Sequence, residues 1–122
     1  MGQALNVLVV DDDEAIVEMV KWALSEEGHT VSTAANGAIA LEMLEQLRPD
    51  LILLDMRMPV MDGWQFAEAF RQRPDPKSPI VVMTAARDAA QRAREIAADG
   101  YLAKPFDIDD LIATVRRFAL VH

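Results

Sequence analysis

The chain contains no cysteine, so disulfides and thiolate metal sites are excluded, in agreement with a reducing compartment. It also has no apolar run approaching the length of a membrane span, and Met1-Gly-Gln-Ala4 lacks the basic and apolar regions of a signal peptide. These absences predict a cytoplasmic protein with no membrane partner. The five glycines include no Gly-x-Gly pair, which removes the dinucleotide-binding fingerprint. Basic residues are scarce: 12 Lys and Arg against 20 Asp and Glu give a net charge of -8. Such a surface repels phosphate backbones, so direct nucleic-acid binding is not expected. The two histidines, His29 and His122, have no companion at metal-ligand spacing and are expected to be solvated.

What is present fits one globular domain spanning residues 1–122, with 52% hydrophobic and 26% charged residues. Short apolar runs alternate with stretches of helical periodicity, the signature of βαβ units around a parallel sheet. The expected strands are Leu5 to Val10, His29 to Ala34, Leu51 to Leu54, Ile80 to Met83 and Tyr101 to Ala103. His29 to Ala34 is the most polar and suits an edge, whereas the runs at 7–10, 51–54 and 80–83 suit strands buried on both faces. Helices are expected at about 14–27, stopped by Gly28, and at 37–47, ended by Arg48-Pro49. Three more are expected at 63–73 with Asp62 as N-cap, at 88–98, and at 108–120 with Asp107 as cap. Inward-facing residues would be Ile16, Val20 and Leu24, then Ala40, Leu44 and Leu47, and finally Leu111, Val115 and Phe118. The Pro74-Asp-Pro76 and Ser78-Pro79 stretches read as a loop, not a linker.

Four of the runs end on chemistry. Val7 to Val10 leads into Asp11, Asp12 and Asp13; Leu51 to Leu54 into Asp55; Ile80 to Met83 into Thr84; and Tyr101 to Ala103 into Lys104-Pro105-Phe106. In parallel strands these ends share one sheet edge, where open α/β sheets bind ligands. Carboxylates crowded there repel one another, and a hard divalent cation such as Mg²⁺, which prefers oxygen ligands, relieves the repulsion. Asp13 and Glu14 are explained more simply by a helix N-terminus. Asp55 is not, because an acid closing a fully apolar strand has no packing role and needs a partner. Thr84 and Lys104, each unremarkable alone, would supply a hydroxyl and an ammonium to the same cleft.

Together, Val9-Val10-Asp11-Asp12, Asp55-Met-Arg-Met-Pro59, Met61-Asp-Gly63, Val82-Met83-Thr84-Ala85 and Lys104-Pro105-Phe106 resemble the receiver domain of bacterial two-component response regulators over the whole chain. The resemblance implies a flavodoxin-like, doubly wound five-stranded parallel sheet in order 2-1-3-4-5 with five helices. It implies that Asp55 is the phosphoacceptor, and that Asp11, Asp12, Asp55 and the backbone carbonyl of Arg57 hold Mg²⁺, with Mn²⁺ as a substitute. Thr84 and Lys104 would contact the phosphoryl group, and Thr84 with Tyr101 would form the switch. The implied partners are a sensor histidine kinase or histidine phosphotransfer protein, and a downstream target protein or an output domain. The implied module is a phosphorelay switch and not an enzyme, either monomeric or dimerising on phosphorylation. Its signalling face would be helix four, strand five and helix five. The chain runs slightly short between Thr84 and Lys104, and Ala97-Ala98-Asp99 replaces a commoner Gly-Ala-containing turn, so helix four is expected to be short or displaced.

The rival from another class is a phosphohydrolase of the haloacid dehalogenase type, whose nucleophile ends strand one in an Asp-x-Asp-x-Thr/Val motif. Asp11 and Asp13 supply two positions, but Ala15 occupies the last and no cap insertion is visible. A docking module built on a degenerate receiver is the third reading, and it normally lacks residues that this chain keeps. Trp22 and Trp64 fall on expected helices and read as packing residues or partner-facing anchors. The arginines at 87, 92, 94, 116 and 117 read as a solvated helical face.

Overall fold

In the computed structural model, which describes residues 3–74 and 78–119, the strands are β1 (Asn6–Val10), β2 (Thr30–Ala34), β3 (Leu51–Asp55), β4 (Ile80–Ala85) and β5 (Gly100–Lys104). All neighbours pair in parallel, in the order β2-β1-β3-β4-β5. The helices are α1 (Glu14–Glu26), α2 (Gly37–Met43), α3 (Gly63–Arg71), α4 (Ala89–Glu95) and α5 (Ile108–Ala119). The expectations for Pro76, Leu120 and His122 lie outside the described residues, as does that for the first two residues.

Side-chain alternation splits the core into two layers. Val7, Val9, Leu51, Leu53, Val81 and Met83 face α1 and α5, where they meet Val20, Leu24, Leu111 and Val115. Leu8, Val10, Ile52, Leu54, Ile80 and Val82 face the other way and meet Ala40, Leu44, Phe66, Phe70 and Ala93. A strand buried on both faces has to be apolar at every position, which is why the runs in β1, β3 and β4 are continuous and β2, on the edge, is mixed.

Helix starts follow local chemistry. Asp13 accepts from the amides of Ala15 and Ile16, and Asn36 from that of Ile39. Asp62 and Gln65 form a capping box, and the backbone amides and side chains of Asp107 and Asp110 exchange bonds in the same way. Helix ends depart from the periodicity. At the end of α1, Gly28 has φ +92°, with His29 N–H bonded to Leu24 C=O and Gly28 N–H to Ser25 C=O, the Schellman arrangement. The end of α2 comes at Met43 rather than Leu47, because its last turn tightens into bonds from Glu45 to Glu42 and from Gln46 to Met43. Seven residues long, α4 closes with the same double bond pattern as α1, but with Ala97 at φ +53° where glycine is favoured. The short helix four expected from the reduced spacing is thus present.

His29 is not solvated as expected. It is partly buried, and its Nδ1 accepts the Leu5 backbone N–H at 3.0 Å. The last described turn of α5 lies beside the start of the chain, where Gln3 N–H meets Ala119 C=O at 3.5 Å.

Candidate functional site

Register brings the acidic residues together. Val10 pairs with Leu54, so Asp11 and Asp55 follow as the next residues of adjacent strands; Asp55 pairs with Met83, and Thr84 comes one step later. On the far side of β4, Ala85 pairs with Lys104. Four strand ends therefore deliver an acid, an acid, a hydroxyl and an ammonium to one edge.

The side chains complete the convergence. Lys104 Nζ lies 2.9 Å from Asp11 Oδ2 and 3.5 Å from Asp55 Oδ1. The Asp11 side chain is fully buried, while that of Asp55 is 11% exposed and Asp12 is open to solvent. Carboxylate oxygens of Asp11, Asp12 and Asp55 all lie within 4.8 Å of one another. Burial, and then the Asp11 charge, push the Asp55 carboxyl up to about 6, against the opposing pull of Lys104; Asp12 adds a smaller push. Burial pulls the Lys104 ammonium down, but the Asp11 hydrogen bond and charge, together with Asp55, outweigh it and hold its pKa above the usual range. Three carboxylates against one ammonium leave an excess of negative charge and hard oxygen donors, a donor set that suits Mg²⁺ or Mn²⁺.

The loop after Asp55 is locked from two sides. Gly63 N–H bonds Met56 C=O at 2.9 Å, and Gly37 N–H bonds Met61 C=O at 3.0 Å. A Cβ on Gly63 would stand 2.6 Å from Met56 Sδ and 2.8 Å from Asp55 O, so only glycine permits this approach. At the loop tip Val60, 81% exposed, has φ +69°. A cleft of about 340 Å³ lined by Asp12, Met56, Arg57, Met58, Pro59, Asp62 and Trp64 opens beside the acids. The larger cavity, about 790 Å³, lies at the opposite end of the sheet among Asn6, Leu47, Pro49 and Pro79 and has no part in this chemistry.

Of the remaining expected site residues, Thr84 is buried at 8% exposure, and Tyr101 on the edge strand β5 is 48% exposed. Tyr101 borders a second surface cleft with Pro105, Asp110, Thr114 and Arg117. Asp13 is committed to capping α1, which removes it from the Asp-x-Asp pair that a strand-one nucleophile requires.

The periodicity did not reveal a cluster beside the site. Trp64 is flanked by Arg57, whose Cζ is 5.7 Å from the ring centroid, and by Arg92 at 5.3 Å. Its Nε1–H donates to Glu95 Oε1 at 2.9 Å. Each cation–π contact is worth about 0.5–1 kcal/mol at an exposed site. Nothing local announces it, since the partners lie 7, 28 and 31 residues away in sequence.

The family model for the response regulator receiver domain matches residues 7–116. Response regulator MprA of Mycobacterium ulcerans is 40% identical over 93% of this chain and 49% of its own length. The DNA-binding transcriptional regulator NtrC of Escherichia coli K12 is 45% identical over 95% of this chain and 25% of its own length. The chain thus spans about half the length of MprA and a quarter of that of NtrC. Among solved structures, chemotaxis response regulator CheY4 of Vibrio cholerae superimposes with a TM-score of 0.86 at 35% identity, covering 95% of this chain and 99% of that one. With sheet order, edge chemistry and relatives in agreement, this chain belongs to the receiver domain family of two-component response regulators.

Proposed function

We propose that residues 1–122 form a single phosphorylation-dependent signalling switch in which Asp55 accepts the phosphoryl group. The observation that carries this reading is the placement of Lys104 between two buried carboxylates, with a third, exposed one alongside. An Asp55 carboxylate oxygen attacks phosphorus while the bond from phosphorus to the donor breaks. The donor is the phosphoimidazole of a sensor histidine kinase or histidine phosphotransfer protein, or a small acyl phosphate. Imidazole or carboxylate leaves, and an aspartyl phosphate remains. Lys104 pairs with a phosphoryl oxygen and Thr84 donates its hydroxyl to another. Asp11, Asp12, Asp55 and the Arg57 backbone carbonyl are the residues that would hold Mg²⁺ or Mn²⁺. When bound, that ion supplies positive charge against the incoming phosphoryl oxygens.

The new dianionic charge draws Thr84 toward it, and Tyr101 turns inward from its exposed position, changing the α4–β5–α5 face. That face then binds a downstream target or an output domain, as a monomer or as a phosphorylation-dependent homodimer. The chain modifies only itself and is not an enzyme in the turnover sense. A cytoplasmic location and the absence of direct nucleic-acid contact complete the reading. Among the described residues, no helix is long and apolar enough to cross a membrane.

Intact mass after treatment with acetyl phosphate and Mg²⁺ tests the assignment. A single phosphoryl adduct is expected on the wild type and none on Asp55→Asn. An adduct retained by the variant refutes Asp55 as acceptor.

A further inference from the structure

Little apolar surface anchors α4. Within its seven residues only Ala89 and Ala93 are buried, and both side chains are single methyl groups. Beyond its seat on β4 and β5, α4 is tied down by side chains of α3. Arg71 donates from Nη2 to Ile96 O at 3.2 Å and Ala97 O at 3.0 Å, closing the C-terminal end of α4. On the same face of α3 and two turns earlier, at spacing i to i+7 from Arg71, Trp64 donates to Glu95. Arg92, stacked on the Trp64 ring, bonds both oxygens of the same Glu95 at 2.9 Å and lies 3.9 Å from Asp88. The indole N–H and Arg92 together hold the Glu95 carboxyl below its usual range. The Trp64 ring also makes a cation–π contact with Arg57, two residues beyond Asp55 in the locked loop, with Cζ 5.7 Å from the ring centroid. One indole ring therefore contacts both the acceptor loop and the helix that would carry the signal.

We propose that Trp64 is a positioning residue that clamps α4 to the acceptor loop and transmits the state of Asp55 to that helix. The clamp holds α4 in the uncharged protein; its transmitting role rests on the reading of Asp55 as phosphoacceptor. Because the stack joins side chains of three segments, the acceptor loop (Arg57), α3 (Trp64) and α4 (Arg92 and Glu95), displacing the loop at Arg57 changes the restraint on Arg92 and Glu95. Leucine in place of Trp64 stays apolar but is smaller and loses both the ring face and the donor, uncoupling the acceptor loop from α4.

Amide hydrogen exchange in α4, measured beside intact mass with and without acetyl phosphate and Mg²⁺, tests both parts. In uncharged protein, Trp64→Leu is expected to raise α4 exchange roughly tenfold while leaving α5 unchanged, as loss of a local restraint requires. Trp64→Phe, which restores the stack without the N–H, is expected to recover most of the protection. Exposed Glu95→Gln weakens the same contact and serves if Trp64→Leu does not fold; it is expected to raise exchange roughly threefold. On charging, the wild type is expected to change its α4 exchange, and Trp64→Leu to carry the same adduct with that change lost. Equal α4 exchange in uncharged wild type and both weakened variants overturns the clamp. An adduct on Trp64→Leu with the full wild-type response overturns transmission alone. No adduct on the wild type refutes the acceptor reading and transmission with it, leaving the clamp to be judged on the uncharged proteins.

Discussion

Lys104 bonds Asp11 across 93 residues of sequence, Nζ to Oδ2 at 2.9 Å, and Asp55 receives only the longer, 3.5 Å share of the same ammonium. The acid with the stronger claim on the lysine is the fully buried one. Asp55 is left underneutralised, which suits the phosphoacceptor role proposed for it.

Burial of Asp55, with the Asp11 charge beside it, predicts a pH signature. The Asp55 pKa stands at about 6 in the fold against 3.8 in the unfolded chain, so between those values the folded state binds more protons. Stability contributed by the protonated form is fully present below about pH 4 and lost as pH rises to about 6. The full cost is of order 1–3 kcal/mol at neutral pH without metal. Urea denaturation in a chelator is expected to show Asp55→Asn more stable than wild type by a margin that grows from pH 4 to 6 and is flat above. A margin independent of pH refutes the assignment.

His29 predicts the opposite slope. Its Nδ1 must be unprotonated to accept the Leu5 N–H, and burial lowers its pKa against the raising effect of Glu27. The unfolded chain then takes the proton first, so this contribution is present above pH 6.5 and lost as pH falls below it. Its size is that of one hydrogen bond, about 0.5–1.5 kcal/mol. Comparing wild type with His29→Phe, which cannot titrate, at pH 7.5 and 5.5 is expected to show the gap narrowing in acid; an unchanged gap rejects the assigned proton-acceptor role.

Two left-handed residues predict stabilising changes. Ala97 at φ +53° and the β-branched, exposed Val60 at φ +69° both occupy backbone space that favours glycine or asparagine. Ala97→Gly and Val60→Asn are each expected to gain about 0.5–1 kcal/mol, read as a higher denaturation midpoint at unchanged m-value. A loss at either position contradicts the strain.

Gly63→Ala predicts a combined defect. The added Cβ meets Met56 and the Asp55 carbonyl inside contact distance, so the loop must shift, at a cost of about 1–3 kcal/mol. Phosphorylation by acetyl phosphate is expected to slow at least about tenfold, since ångström-scale misplacement of reacting groups is that costly. A wild-type rate would show that the loop can move freely.

Legibility from sequence followed the range of each cause. Strands were readable because two-sided burial forces every residue of β3 to be apolar until Asp55. Helix starts were readable where one acid caps them, as at Asp13, Asp62 and Asp107. The end of α2 was misplaced because apolar periodicity continues through Leu47 while the backbone has already left the helix, whereas α4 is short, as the reduced spacing implied, and ends where Ala97 turns left-handed. The acidic edge could be assembled once parallel strand ends were assumed, since β1, β3, β4 and β5 lie side by side. The partners of His29 and Trp64 could not, because each contact joins segments whose proximity only the fold creates.

The closeness of Gln3 and Ala119 has an engineering consequence. Both lie toward the end of the sheet remote from Asp55, because β1 begins there and α5 runs back to it. Fluorescent tags or surface tethers joined at either position would project from that remote pole, leaving the carboxylate rim open to phosphodonors, and a short bridge between the two positions would permit circular permutation.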